Sequence, residues 1–353
     1  MGNTLAEKYD CLLFDLDGVI YRGSHAVNGA VKALDRCAAS GLRSVYVTNN
    51  ASRSAGEVAA HLRSLGIILA DSDVVTSPQA AVSLLPEYVP EGSAILVIGG
   101  AGIDTVLIEH GYRPVRSMDE NPAAVMQGFS PHVTWADLAE AAYAIESGLP
   151  WIATNPDLTF PTDRGVAPGN GSLVAAVANA VGREPDAMAG KPETPLLEEA
   201  LRRCGMSHGL MIGDRLDTDV RGGSAAGLAT LLVLTGVHEV ADLLGAAGLD
   251  QPDYVGVDLG VLHEEYPPVE VRDYPGGIES VCGGVMARVD EKGGVEVGGA
   301  GTWIDAVRAL AEVTFASRNR GQNVVVPQAM QALEAFTGTV APETKDLQGD
   351  HRA

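Results

Sequence analysis

The chain has 353 residues, 46% hydrophobic and 20% charged, a composition that excludes disordered, collagenous and low-complexity classes and leaves room for two or three domains. Against 46 acidic residues stand 24 basic ones, and a net charge of −22 repels nucleic acid and anionic bilayers over most of the surface. No run approaches the ~20 apolar residues of a membrane span, and MGNTLAEKYD lacks the basic start and apolar stretch of a secretory signal, so a soluble, cytoplasmic protein without membrane insertion is expected.

From the N-terminus, CLLFDLD reads as a short buried strand, AVNGAVKALDRCAASG as a helix ending at Gly41, and RSVYVTNN as a second strand. The alternation continues through SAGEVAAHLRSLGI (helix), DVVTS (strand), PQAAVSLLPEY (helix) and SAILVIGG (strand), and it predicts a parallel α/β sheet. It resumes in PLLEEALRRCGM (helix), GLMIGD (strand), DVRGGSAAGL (short helix), ATLLVLTG (strand) and ADLLGAAG (helix). Beyond Leu259 the style changes. VEVRDY and SVCGGVMARVDEKGGVEVGG alternate like antiparallel strands around Gly-rich turns, TWIDAVRALAEVTFASR and PQAMQALEAF read as helices, and TGTVAPETKDLQGDHRA as a loose polar tail. The four cysteines, Cys11, Cys37, Cys204 and Cys282, are widely spaced without a CxxC, which predicts reduced, mostly buried thiols.

The strongest local signal is FDLDGV, where a strand ends in Asp15 and Asp17 follows two residues later. Ligands of open α/β sheets sit just past the strands' C-terminal ends. An ionised aspartate there can attack phosphorus; alone, the pair reads equally as a cap for the next turn. VTNN offers the Thr48 hydroxyl and the Asn49 carboxamide as donors to phosphate oxygens, and GKP offers the Lys191 cation beside Asp15. GDRLDTD places Asp214 at a strand end with Asp219 five residues on, hard oxygens suited to Mg²⁺. Singly, these are also strand filler, a surface lysine and a helix N-cap. In chain order, each after an apolar strand or a glycine, they form a set.

DLDGV, VTNN, GKP and GDRLDTD together resemble the four motifs of haloacid-dehalogenase-superfamily phosphatases. TSPQAA, ATNPDLTFPT, PGNGS and LVLTGV are similar to the subfamily of p-nitrophenyl, phosphoglycolate and pyridoxal phosphatases, over about residues 9–260. The resemblance implies a Rossmann-like core formed by residues 1–77 and 185–260, a large inserted α/β cap over 78–184, and an added α+β unit over 261–353. It also implies Asp15 as nucleophile and Asp17 as acid and then base, with Mg²⁺ held by Asp15, the Asp17 carbonyl and Asp214, and oriented through Asp219. Thr48, Asn49, Asn50 and Lys191 would hold the phosphoryl group. Asn155 and Asp157, from the cap, would meet the leaving group, with an Asx-turn role before Pro156 and Pro161 as the alternative for both. The implied substrate is a small phosphorylated metabolite. Glycerol 3-phosphate is the expected ester, with phosphoglycolate, pyridoxal phosphate and nucleotide monophosphates open. The cap or the C-terminal unit could pair two copies. A phospho-accepting signalling module is the rival from another class, and Asp17 and the domain-sized insertion argue against it.

Overall fold

The computed structural model describes residues 4–337 except 163, 207 and 323, and gives residues 160–162 by backbone alone. The expected tail lies outside them from 338 onward. A six-stranded parallel sheet runs in the order Tyr254–Gly256, Ala229–Val233, Gly209–Gly213, Cys11–Phe14, Arg43–Thr48, Val74–Thr76. Cys11–Phe14 is buried at every position because helices cover both faces. Leu13 packs with Leu196 and Leu197 of helix Pro195–Cys204 on one face. Leu12 and Phe14 pack with Leu34 and Leu62 of helices Ala30–Ala39 and Ala55–Ser64 on the other. This central strand ends at Phe14, so Asp15 emerges at the sheet's C-terminal edge.

A second, five-stranded parallel sheet has the order Ala187–Met188, Trp151–Ala153, Ala124–Gln127, Ala94–Ile98, Arg113–Val115. Helices Trp135–Glu146 and Asn170–Val181 cover one face. Ile103 and Leu107, from helix Ala101–Glu109, join the cluster that also holds Leu13 and Val45 of the first sheet. Strand Ala187–Met188 lies past the expected limit of the insertion at 184 and pairs with Trp151–Ala153. Part of ATNPDLTFPT forms a hairpin, Thr159–Thr162 against Gly165–Pro168.

The third unit is an antiparallel sheet of Val269–Tyr274, Gly277–Cys282, Val285–Asp290 and Val295–Gly299, with helices Trp303–Asn319 and Val326–Glu334. Its core is continuous with Leu216, Val220 and Leu243 of the first unit. The segment read as DVRGGSAAGL begins earlier than expected, with a π-helical turn over Leu216–Val220 before helix Arg221–Ala225. One expectation is corrected: Cys11 and Cys204 form a disulfide across 193 residues of sequence, Cα atoms 6.9 Å apart, while Cys37 and Cys282 are free and buried. The packing of the Pro195–Cys204 helix on the first strand makes the pair, a contact that spacing along the chain does not show. Among the described residues no helix is long and apolar enough to cross a membrane.

Candidate active site

At the C-terminal edge of the first sheet lies a cavity of about 540 Å³, lined from the first unit by Asp15, Asp17, Thr48, Asn49, Asn50, Lys191 and Asp219 and from the second by Asn155, Asp157 and Asn170. Lys191 is its electrostatic centre. The residue is 1% exposed, and its Nζ donates to Asp15 Oδ1 at 2.5 Å and Asp219 Oδ1 at 2.7 Å. Burial alone would lower its pKa; Asp15 and Asp219 reverse this and hold it above the usual lysine range. A lysine buried against two carboxylates stays charged.

Carboxylate oxygens of Asp15, Asp214 and Asp219 lie within 4.8 Å of one another. Burial raises the Asp15 carboxyl well above its ordinary value although Lys191 pulls it down, and burial and then the Asp219 charge raise Asp214. Both oxygens of Asp219 are committed: Oδ1 to Lys191, and Oδ2 to the amides of Asp214 at 3.2 Å and Arg215 at 3.0 Å. The Val237 amide donates to Asp214 Oδ2 at 2.6 Å, and Gly236 leaves the room for this carboxylate, since a Cβ there would fall 1.8 Å from Oδ2. Three carboxylates, Asp214 and Asp219 buried and Asp15 half-buried, against one lysine leave excess negative charge on hard oxygens. That donor set fits Mg²⁺.

Asp17 is accessible at the cavity wall, yet nearby protein still raises its carboxyl, with Arg22 and the Gly18 amide opposing the rise. Such a group can hold a proton for a leaving alcohol. Thr48 is buried and accepts from the Asn50 amide at 3.1 Å, which leaves its hydroxyl hydrogen free to donate. Asn50 Oδ1 accepts from the Ser52 amide and hydroxyl.

The cap residues divide. Asn155 makes the Asx turn that was its alternative reading: Oδ1 accepts from the Asp157 amide at 3.2 Å, while Nδ2 donates to the Asn49 carbonyl at 2.7 Å. Asp157 lines the cavity, its carboxyl raised by burial and eased by an Asn49 hydrogen bond. Sequence reasoning missed Arg22, Arg215 and Asn170 on the walls. Arg215 stood inside the quoted GDRLDTD and is fixed by a two-pronged contact with Asp217 at 3.0 and 2.8 Å. Asn170 stood inside PGNGS, where nothing separates a helix-start residue from a wall residue until the helix is docked.

The profile of the haloacid dehalogenase-like hydrolases matches residues 12–113, and that of the HAD-hydrolase-like family matches residues 188–262. The chain is 42% identical over 320 residues to the D-glycerol 3-phosphate phosphatase of Mycobacterium tuberculosis, covering 89% of this chain and 88% of that one. The crystal structure of the glycerol phosphate phosphatase from that organism in complex with magnesium superposes with a TM-score of 0.78 at 37% identity, covering 97% of this chain and 96% of the other. An acid sugar phosphatase of Staphylococcus aureus is 35% identical over 239 residues, 67% of this chain and 91% of its own.

Proposed function

Because the chain belongs to the haloacid dehalogenase-like hydrolases, we propose that it is a Mg²⁺-dependent phosphatase working through an aspartyl-phosphate on Asp15, with glycerol 3-phosphate as its ester. The single observation that carries the chemistry is Lys191 buried between Asp15 and Asp219 at the mouth of the central strand. The substrate rests on extent: the likeness to the glycerol 3-phosphate phosphatase covers 89% of this chain, whereas that to the acid sugar phosphatase covers 67%.

In this reading Asp15 Oδ attacks phosphorus, the bond to the ester oxygen breaks, and Asp17 gives its proton to the departing alkoxide. The deprotonated Asp17 then takes a proton from water, which attacks phosphorus and returns Asp15 as a carboxylate. Lys191 and the Thr48 hydroxyl offset charge on the phosphoryl oxygens, held in place beforehand so that little reorganisation is needed. Asp15, the Asp17 carbonyl and Asp214 would hold Mg²⁺, which supplies further charge neutralisation when bound. Asp219 orients Lys191, and Asp157 faces the leaving group from the cap. We divide the chain accordingly, with 1–77 and 185–260 as core, 78–184 as cap and 261–353 as an accessory unit; the pairing of Ala187–Met188 with the second sheet supports extending the cap to it.

The test is phosphate release from a panel of esters with Mg²⁺ present. Glycerol 3-phosphate should show the highest kcat/KM. A higher value for phosphoglycolate or pyridoxal phosphate would reassign the substrate, and no release from any ester would overturn the reaction class.

A further inference from the structure

Asn49 stands where both connections between the two parallel sheets pass. Its carbonyl accepts from Ser77 Oγ at 2.6 Å, at the start of the helix leading out of the first sheet, and from Asn155 Nδ2 at 2.7 Å in the cap. Its own Nδ2 donates to the Lys191 carbonyl at 2.9 Å, on the segment returning from the cap, and to Asp157 Oδ1 at 3.2 Å. A carboxamide has two N–H donors, and both are spent. Both partners are acceptors, so the amide cannot be turned round, and the atom left over is Oδ1, buried without a partner. An acceptor has nothing to offer a phosphate oxygen.

Packing points the same way. A Cβ on Gly190 would fall 2.7 Å from Asn49 Oδ1, 2.8 Å from Asn155 Cβ and 2.8 Å from the Thr154 carbonyl, so core strand end, cap loop and return segment meet with no room for a methyl group. Asn170 Nδ2 adds a hydrogen bond to the Asn155 carbonyl at 2.8 Å and fixes the loop from its far side.

We infer that Asn49 and Asp157 form a latch between core and cap, making Asn49 a positioning residue that ties the closed cap to the Lys191 backbone and not a phosphate ligand. The inference rests on the phosphatase reading and deepens it. With the latch made, the cap loop is seated; with it broken, the cap closes less often over a bound ester, while the Lys191 ammonium stays fixed by Asp15 and Asp219. Orthophosphate has no leaving group for the cap to cover, so its binding should not depend on the latch.

The full chain with Mg²⁺ should be compared with Asn49→Ala, Asp157→Ala, Asp157→Asn and the Asn49→Ala/Asp157→Ala double variant, measuring kcat and KM for glycerol 3-phosphate, inhibition by orthophosphate, and the radius of gyration in solution. Each alanine variant should lower kcat/KM by roughly tenfold or more, as expected for a lost hydrogen bond to a charged group. The double variant should be no worse than the poorer single one. Asp157→Asn, which keeps an acceptor facing Asn49, should recover most of what Asp157→Ala loses. The orthophosphate inhibition constant should stay within about twofold throughout, and the alanine variants should be more expanded. Additive losses, or an orthophosphate constant that rises with Asn49→Ala as kcat/KM falls, would overturn the latch. If Asn49→Ala does not fold, Gly190→Ala wedges the same contact and carries the comparison. A wild-type protein that hydrolyses no phosphomonoester would sink the phosphatase reading instead, and the radius of gyration would then decide the latch alone, equal radii counting against it.

Discussion

At the scale of single residues, the proposed chemistry depends on charges that only the fold brings together. Asp15→Asn is nearly isosteric, so it should abolish turnover and leave the melting temperature within a few degrees, measured by phosphate release and calorimetry. Asp17→Asn should slow phosphoenzyme formation far more for glycerol 3-phosphate than for p-nitrophenyl phosphate, because an alkoxide needs the proton and a nitrophenolate does not. Rapid quench separates the two half-reactions, and equal slowing for both esters would refute the acid role. Lys191→Met leaves Asp15, Asp214 and Asp219 facing one another without a cation, an uncompensated burial of charge costing about 3–5 kcal/mol near neutral pH. The carboxyls of Asp15 and Asp214, already raised by burial, are then raised further once the Lys191 charge is gone. The penalty is therefore absent below the ordinary carboxylate range near pH ~4, and it grows as pH rises through the raised values. The melting gap from wild type should widen between pH 5 and 8, and Mg²⁺ should narrow it. Asp15, Thr48, Lys191 and Asp214 were legible because each ends or follows an apolar strand or follows a glycine, and Asp219 because it stands five residues beyond Asp214. The commitments of Asn49 were not, since its side-chain partners lie 108 and 142 residues away.

At the scale of elements, strands buried on both faces announce themselves as short apolar runs, and so CLLF, AILVI and ATLLV were found. The hairpin Thr159–Thr162/Gly165–Pro168 was hidden by its two prolines and exposed flank, and the Tyr21–Arg22/His25–Ala26 pair by its length. The Cys11–Cys204 disulfide belongs to the same class: it depends on which helix docks on which strand. In the C-terminal sheet, register sets Glu279 opposite both Arg272 and Arg288, and it bonds both. Arg272 first and Arg288 after burial's opposing effect hold its carboxyl below the usual range. A lowered folded-state pKa contributes stability above the unfolded value, lost as pH falls through the folded one. Glu279→Gln should therefore cost less than about 3 °C of melting temperature at pH 7, with the difference fading in acid and in high salt.

For the whole molecule, the C-terminal unit is bound to the first by more than contact of surfaces. Arg318 donates to the Leu244 and Ala246 carbonyls at 2.8 and 2.6 Å, Arg308 to the Val255 carbonyl at 2.9 Å, and Leu216 and Val220, from the turn bearing Asp219, lie in its core. Truncation after Gly260 would uncover these apolar side chains, so the product should aggregate or melt at a markedly lower temperature; a soluble fragment melting like the full chain would show the unit to be dispensable. The order of strands in the first sheet has a further consequence, for synthesis. Cys11–Phe14 pairs on one side with Arg43–Thr48, made soon after it, and on the other with Gly209–Gly213. At ribosomal speeds of ~5–20 residues per second, this fully buried strand has one open edge for roughly 10–40 s while the second sheet is made and folds. The nascent chain thus carries an unpaired apolar edge past the point where half of it already has structure. Its yield on expression should respond to chaperone capacity and growth temperature more than its final stability would suggest.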